Sequence, residues 1–125
     1  LEEAISVHAR YSTLDEKGQT RRERNDAFGV ESPPRNIPEA AYYLWEWYFD
    51  LKDCVRRVRD GVCEKLSPTV YIAWQQMTGN IVTTQDYAIL RAMDAAYCAE
   101  MNNELTDYRA READKAAQAS KGGKL

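Results

Sequence analysis

The fold of this chain is decided by one aromatic stretch, Ile37-Pro38-Glu39-Ala40-Ala41-Tyr42-Tyr43-Leu44-Trp45-Glu46-Trp47-Tyr48-Phe49-Asp50-Leu51. Six of the eight positions 42–49 are aromatic. Apolar residues also recur at steps of three and four, which is the spacing of one face of an α-helix. The pattern therefore predicts a long helix from Asn36 to about Arg59. Its predicted core face consists of Ala41, Leu44, Tyr48, Leu51, Val55, Val58 and Val62.

The aromatic residues of this helix extend well beyond its core face. Tyr43 and Trp47 lie on one side of that face, and Tyr42 and Phe49 lie on the other side. A helix that is apolar on nearly all sides has to be buried on nearly all sides. A chain of 125 residues contains little other protein to bury it. The excess apolar surface therefore predicts binding to another protein, or self-association into a homo-oligomer.

Two further helices are predicted downstream of the aromatic stretch. The first begins at Ser67-Pro68 and ends at Gly79, because proline is typical of a helix start and glycine of a helix end. The second begins at Thr83, where Asp86 completes a capping box, and is expected to continue for about 30 residues. The predicted inner face of the first consists of Val70, Ala73, Trp74 and Met77.

These elements predict an all-α protein, a small bundle of three to five helices with one long C-terminal helix. We divide the chain into a weakly helical N-terminal segment (1–30), a linker (31–36), a helical core domain (37–108) and a polar, frayed C-terminal tail (109–125). No strand pattern persists, and no apolar run is long enough to predict a membrane span.

The charge balance argues against a broad nucleic-acid surface. The chain carries 17 Lys and Arg residues against 20 Asp and Glu residues, for a net charge of -3, whereas phosphate binding favours a basic face. The helices around Gly79 superficially suggest a helix-turn-helix, but the segment Thr84-Gln85-Asp86-Tyr87 contains no Arg or Lys to contact phosphates. No nucleic-acid partner is predicted, and a small DNA-binding regulator stays an alternative.

Catalytic chemistry is not indicated by the sequence. His8 is the single histidine, no Gly-rich phosphate loop is present, and no Ser or Cys lies in a nucleophile motif. Cys54, Cys63 and Cys98 fit neither a metal-site spacing nor a disulfide framework, so we predict reduced, mostly buried thiols in a cytosolic protein. We therefore expect that the protein is not an enzyme and that it holds no metal and no cofactor.

One acid interrupts the apolar face of the long fourth helix. Asp94 lies between Leu90 and Tyr97 on that face. An unpaired carboxylate is costly in such a position, so Asp94 has to be paired or hydrogen-bonded. We predict that Asp94 is a structural buried acid that fixes the helix register. Its candidate partners are tryptophan indoles, tyrosine hydroxyls, Arg56, Arg57 and Arg59.

The aromatic residues divide into a core set and a binding set. Trp45, Tyr48 and Leu51 lie on or near the core face and are assigned to the core. Large aromatic side chains outside the core are the type in which the binding energy of protein interfaces concentrates. The predicted partner-binding residues are Tyr43, Trp47, Phe49, Tyr71 and Trp74.

The order of several motifs resembles that of a known family, the tail assembly chaperones of long-tailed bacteriophages. The resemblance covers about Pro33 to Met101, and its motifs are aromatic and positional rather than catalytic. In chain order the motifs are Pro33-Pro34, Ile37-Pro38, the aromatic run Tyr43-Leu44-Trp45-Glu46-Trp47-Tyr48-Phe49-Asp50-Leu51, the pair Arg56-Arg57, Leu66-Ser67-Pro68, Ala73-Trp74-Gln75-Gln76-Met77-Thr78-Gly79, and Leu90, Met93, Asp94 and Tyr97.

The resemblance implies a non-catalytic chaperone that holds the tape measure protein, and recruits tail tube subunits, before and during tail polymerisation. It implies action in the cytoplasm of the infected bacterial host and absence from the mature virion. The alternatives are a tail or head–tail connector protein that stays in the virion, the DNA-binding regulator, and a self-association module. Because the chain begins at Leu1 and such chaperones are often made partly as a longer frameshifted product, a complete chain and a fragment both stay open.

Overall fold

The computed structural model describes residues 1–12, 20, 22, 23, 25 and 37–122. Within these residues it contains four α-helices, one of them long and C-terminal, and a small hairpin, so the prediction of an all-α bundle is confirmed. The predicted linker 31–36 and the last residues of the predicted tail lie outside the described residues. The elements are α1 (Glu2–Ser12), a 3-10 helix (Glu39–Ala41), α2 (Tyr42–Leu51), β1 (Val58–Arg59), β2 (Val62–Cys63), α3 (Pro68–Thr78) and α4 (Thr84–Gly122).

The second helix is shorter than its apolar pattern predicts. The 3-10 helix leads directly into α2, and α2 ends at Leu51. The prediction of one helix from Asn36 to about Arg59 is therefore wrong. The Cys54 backbone N–H donates a hydrogen bond to the Leu51 carbonyl at 3.1 Å, and the chain then leaves the helical path.

A two-stranded hairpin replaces the predicted end of the helix. β1 and β2 pair antiparallel, with Val58 opposite Cys63. The two residues between the strands, Asp60 and Gly61, have φ values of 53° and 77°. Positive φ at both central residues is what a two-residue type I′ turn requires, and Asp-Gly is a preferred sequence for it. Asp60-Gly61, which follows the predicted helix end at about Arg59, therefore makes a hairpin turn, and the expectation of no strands is wrong at this place.

The core is built around α2 and the first half of α4. Trp45, Tyr48 and Leu51 are buried, so their assignment to the core is confirmed. Val55 and Val62, which the pattern places on the same face, are 44% and 47% exposed because the chain has left the helix before them. The largest side chains that are fully buried are Ile5, Tyr48, Leu51, Leu90, Met93 and Asp94.

The first helix also belongs to this core. α1 packs mainly along α4, and Ile5 and Ala9 are completely buried. The His8 ring lies edge-on to Phe49 of α2, with 4.6 Å between the ring centroids. The N-terminal segment thus provides part of the burial that the aromatic stretch requires.

Local signals fix where α3 begins and ends and where α4 begins. Pro68 is the first residue of α3, and Gly79 ends the helix with a φ of 75°, which glycine adopts without a steric penalty. At the start of α4, the Asp86 N–H donates to Thr83 Oγ1 and the Thr83 N–H donates to Asp86 Oδ2, both at 3.1 Å. This reciprocal pair is a capping box. α4 has 39 residues, a length of about 58 Å, and its side chains are exposed throughout residues 106–121.

Candidate functional site

A buried polar network surrounds Asp94, which is only 2% exposed. The Tyr48 hydroxyl donates to Asp94 Oδ1 at 2.7 Å, and the Leu66 backbone N–H donates to Oδ2 at 2.8 Å. The Arg57 guanidinium forms an ion pair with the same carboxylate. We call these four residues the Asp94 network. It joins α2 and the segments just before the hairpin and just before α3 to the first half of α4.

Arg57 extends this network to two backbone carbonyls. Its side chain is 8% exposed, and it donates from Nη1 to the Lys52 carbonyl at 2.9 Å and from Nε to the Glu64 carbonyl at 3.1 Å. A buried charge is tolerated when it is both paired and hydrogen-bonded. Burial, followed by the Asp94 carboxylate, raises the pKa of the Tyr48 hydroxyl, which keeps this group a donor. The network therefore fixes how α2 and the hairpin sit on α4.

Two buried thiols lie beside this network. Cys63 Sγ and Cys98 Sγ are 3.4 Å apart, and Arg57 Nη2 donates to Cys98 Sγ at 3.3 Å. Burial, followed by the hydrogen bond with Cys63, raises the pKa of the Cys98 thiol to about 12. Since the thiolate is the nucleophilic form of cysteine, Cys98 is not activated. All three cysteines are free, and Cys54 is the exposed one.

Three of the five predicted partner-binding residues reach the surface at least in part. Tyr43 is 42% exposed, and its hydroxyl donates to Asp86 Oδ1 at 2.7 Å. Trp47 is half-buried, with its ring edge-on to Tyr43 at 5.0 Å and to Trp74 at 5.7 Å between centroids. Phe49 is half-buried because α1 covers one of its faces. Tyr43 and Trp47 therefore form one continuous aromatic edge of α2.

The other two predicted binding residues are buried in the isolated chain. Tyr71 is 3% exposed and Trp74 is 5% exposed, so neither presents a large free surface, and their role in partner binding stays a prediction. The Trp74 indole N–H donates to Asp50 Oδ2 at 2.7 Å. The physical reason lies in α3, which is apolar on more than one face. It turns Tyr71 and Trp74 toward the core and leaves Ala73 and Met77 exposed.

Most of the face of α3 that was predicted to be core consequently lies in an open groove. The groove has a volume of about 410 Å³ and lies between α3 and the chain that follows α2. Met77 is 87% exposed there and Val55 is 44% exposed. We call this feature the α3 groove. It is lined by Cys54, Val55, Thr69, Val70, Ala73, Trp74 and Met77.

The α3 groove carries no charge. None of its lining residues is acidic or basic, and the 11 residues of α3 include no Asp, Glu, Lys or Arg. Ile72 on the same helix is 55% exposed. Apolar, charge-depleted surface is typical of the centre of a protein–protein interface. Val55, Ala73 and Met77 were predicted to lie in the core, and the absence of charge along α3 is a signal that could have located Ala73 and Met77 at the surface.

Other kinds of site find little support within the described residues. These residues contain no group of three or more His, Cys, Asp or Glu side chains arranged to hold a metal ion. In the same part of the chain, no helix combines the length and the apolarity needed to cross a membrane.

Comparison of the chain with known proteins gave no match, since no family model, no curated protein and no solved structure matches it. Its function is therefore inferred from its own residues.

Proposed function

We propose that this protein is a non-catalytic binding protein that holds an apolar helical segment of another protein in the α3 groove. The role implied by its sequence resemblance is that of a phage tail assembly chaperone. In that role it holds the tape measure protein, recruits tail tube subunits in the host cytoplasm, and is absent from the finished virion. The observation that carries the proposal is the open, uncharged and apolar surface of the α3 groove.

The groove is a place where covering the surface lowers the free energy. Met77 and Val55 expose most or nearly half of their area to water. Fully burying an apolar side chain of this size stabilises a protein by about 1.5 to 3 kcal/mol. A partner that covers both residues recovers part of that amount from each. The polar cost is small, because no charged lining residue has to be desolvated.

The geometry of α3 suits a helical occupant. Val70, Ala73 and Met77 follow one another at steps of three and four, so they form a stripe along the helix. Ala73 in the middle of the stripe is small and leaves room for a side chain of the partner. An amphipathic helix packs into such a groove with its own apolar residues at the same spacing. A long helical tape measure protein presents such stripes and aggregates when they are bare.

Co-purification with the tape measure and tail tube proteins encoded nearby tests the proposal. We expect the wild-type chain to retain at least one of them, and Met77→Glu to lose it, because a carboxylate would be desolvated in the groove. Ile81→Glu is the matched control, since Ile81 is 83% exposed and does not line the groove. Equal loss in both variants places the binding surface elsewhere, and failure of the wild-type chain to retain either protein overturns the proposal.

Two further measurements separate the neighbouring roles. Mass spectrometry of purified phage particles should not detect a chaperone, whereas a tail or connector protein would be present in fixed copy number. Light scattering of the isolated chain should show a homo-oligomer, because the α3 groove has no other partner in that sample. Met77→Glu should shift that sample toward the monomer, and a wild-type chain that is strictly monomeric contradicts the predicted self-association.

A further inference from the structure

A second cavity lies against a different face of α3. It has a volume of about 520 Å³ and is enclosed by α3, the first turns of α4 and the residues just before α3. Pro68 and Tyr71, one helical turn apart, line it from α3. Neither residue takes part in the α3 groove. We call this cavity the Tyr71 pocket.

Two cations that pair with no acid among the described residues line the Tyr71 pocket. Lys65 and Arg91 are both exposed, and neither forms an ion pair with any described residue. The Arg91 guanidinium lies 5.5 Å from the centroid of the Tyr87 ring, which also lines the pocket. This cation–π contact favours a position of the guanidinium beside the pocket rather than free in solvent. Two unpaired positive charges at one cavity favour an anionic ligand.

The same pocket contains a buried donor that lacks an acceptor. Tyr71 is 3% exposed, and its hydroxyl makes no hydrogen bond with any described residue. Buried polar groups are nearly always hydrogen-bonded, because leaving the bond unmade costs free energy. Burial, followed by the nearby Asp94 charge, raises the pKa of Tyr71, so the hydroxyl keeps its proton and acts as a donor.

Asp94 borders the pocket but is already satisfied. Its Oδ1 accepts from Tyr48 and Arg57, and its Oδ2 accepts from the Leu66 N–H. Arg57 also neutralises its charge. The pocket therefore presents two cations and one hydroxyl donor that the described part of the chain does not pair. All three groups belong to residues that line this one cavity.

We propose that the Tyr71 pocket binds the carboxylate of an acidic side chain that a partner protein presents next to apolar residues. Tyr71 donates to one carboxylate oxygen, and Lys65 and Arg91 pair with the charge. Leu66 and Ala92 line the same cavity and contact the apolar neighbours of the acid. A carboxylate suits the site better than a free phosphate, because the additional phosphate oxygens would be desolvated against apolar walls. This inference rests on the protein-binding function proposed above.

The test uses a small probe on the full chain, so that it does not depend on the partner. Backbone amide signals of the ¹⁵N-labelled protein are followed by NMR during titration with the blocked dipeptide N-acetyl-Leu-Glu-amide. We expect saturable shifts at Ala88, Ala92 and Ala95, which line the pocket. The uncharged N-acetyl-Leu-Gln-amide should bind at least about fivefold more weakly, because it cannot pair with the cations. Shifts that do not saturate with the Glu peptide overturn the inference.

Variants of the pocket sharpen the titration. Tyr71→Phe keeps the ring and removes the unpaired hydroxyl, so it should fold normally and bind the Glu peptide about threefold or more weakly. Arg91→Gln should weaken binding by a similar or larger factor, and Arg111→Gln, an exposed arginine in the second half of α4, is the control that should not. Wild-type affinity in both pocket variants overturns the inference. So does inorganic phosphate that shifts the same amides with equal affinity, because the site would then take a free anion.

The outcomes for the two proposals remain distinguishable. If the Glu peptide fails to bind while tail proteins still co-purify, the carboxylate site is wrong and the chaperone function stands. If the Glu peptide binds but no tail protein co-purifies, the site is real and its occupant is not a tail protein.

Discussion

The Asp94 network and the α3 groove arise from the same kind of conflict and resolve it differently. Asp94 is an acid on an apolar helix face, and Met77 is an apolar residue on a solvent-exposed face. The chain answers the first conflict itself, with Arg57, Tyr48 and the Leu66 N–H. No described residue covers Met77. A buried carboxylate that is paired within the chain contributes to the fold. An apolar surface that the chain leaves exposed instead indicates a partner.

The largest expected effect is the loss of stability when the Asp94 network is broken. Arg57→Met should destabilise the fold by about 3 to 5 kcal/mol, because it leaves a buried carboxylate without its counter-charge. A urea unfolding curve measures this change. Arg56→Met is the matched control, since Arg56 is the exposed neighbour and should change stability by no more than about 0.5 kcal/mol. The double variant Arg57→Met/Asp94→Leu should recover much of the loss, and a double variant no more stable than Arg57→Met contradicts the account.

Two tryptophans of α2 divide along the same line between core and surface. Trp45 is 8% exposed, and Trp45→Ala should lower the unfolding free energy by about 3 to 5 kcal/mol. Trp47 is half-buried, and Trp47→Ala should instead weaken partner binding by about 2 kcal/mol if it is a hot spot. A denaturant melt and a pull-down against the tape measure protein measure the two effects. Equal loss of stability in both variants, with binding intact in the folded fraction, would show that both tryptophans serve only the core.

A substitution in the α3 groove should change the affinity for a partner rather than the stability of the fold. Val55→Asp introduces a charge into the α3 groove, and we expect partner affinity to fall by about 2 kcal/mol or more because the carboxylate is desolvated on binding. The unfolding free energy of this variant should change by no more than about 0.5 kcal/mol, since Val55 is exposed in the free chain. Val62→Asp is the control, because Val62 is equally exposed but lies outside the groove. Unchanged affinity in Val55→Asp removes the groove from the binding surface.

The smallest expected effect is a dependence of stability on pH. The hydrogen bond from Tyr43 is the largest cause that lowers the pKa of Asp86 in the folded chain. A lowered folded pKa means that this contribution is present above the pKa of a free aspartate, about 3.9, and is lost as the pH falls through the folded pKa.

Tyr43→Phe removes that hydrogen bond. As the pH falls from about 5 to about 2, the variant should therefore lose less stability than the wild type. Urea melts across this range measure the difference. The loss should be small, because Tyr43 is well exposed and solvent screens the interaction. A variant that loses as much stability as the wild type would assign the acid sensitivity of this region to other groups.

Local signals in the sequence were sufficient for both ends of α3, for the start of α4 and for the position of the buried acid, but not for the end of α4, which runs to Gly122 rather than for about 30 residues. Thr83 and Asp86 were recognised as a capping box, and Pro68 and Gly79 as the limits of α3, because these interactions involve neighbours in the chain. Asp94 was recognised by its place on an apolar face. Which of several candidates pairs with it could not be read, because the choice of Arg57 depends on a hairpin that brings residues 37 positions apart together.

The errors came from contacts between distant segments. Periodicity shows that a helix has an apolar face, but on α3 it could not decide whether Tyr71 or Met77 meets the core. The Asp60-Gly61 pair fits both a helix end and a hairpin turn. The structure has the hairpin turn, and in it Arg57 is buried against Asp94. The core role of α1 was missed because its pattern is short, and its burial depends on α4.

The second half of α4 has a consequence for how folding can be observed. Among the described residues, its last hydrogen bond to another part of the chain runs from Arg109 Nη2 to the Gly61 carbonyl at 3.0 Å, and the helix continues beyond it for about 20 Å. A peptide of that length would hardly be helical alone, because nucleating a helix is costly while extending one is not. The folded domain therefore acts as the nucleus for this exposed end of α4. Amide exchange along residues 110–121 should report both fraying from the free end and, when the nucleus opens, the unfolding of the whole domain.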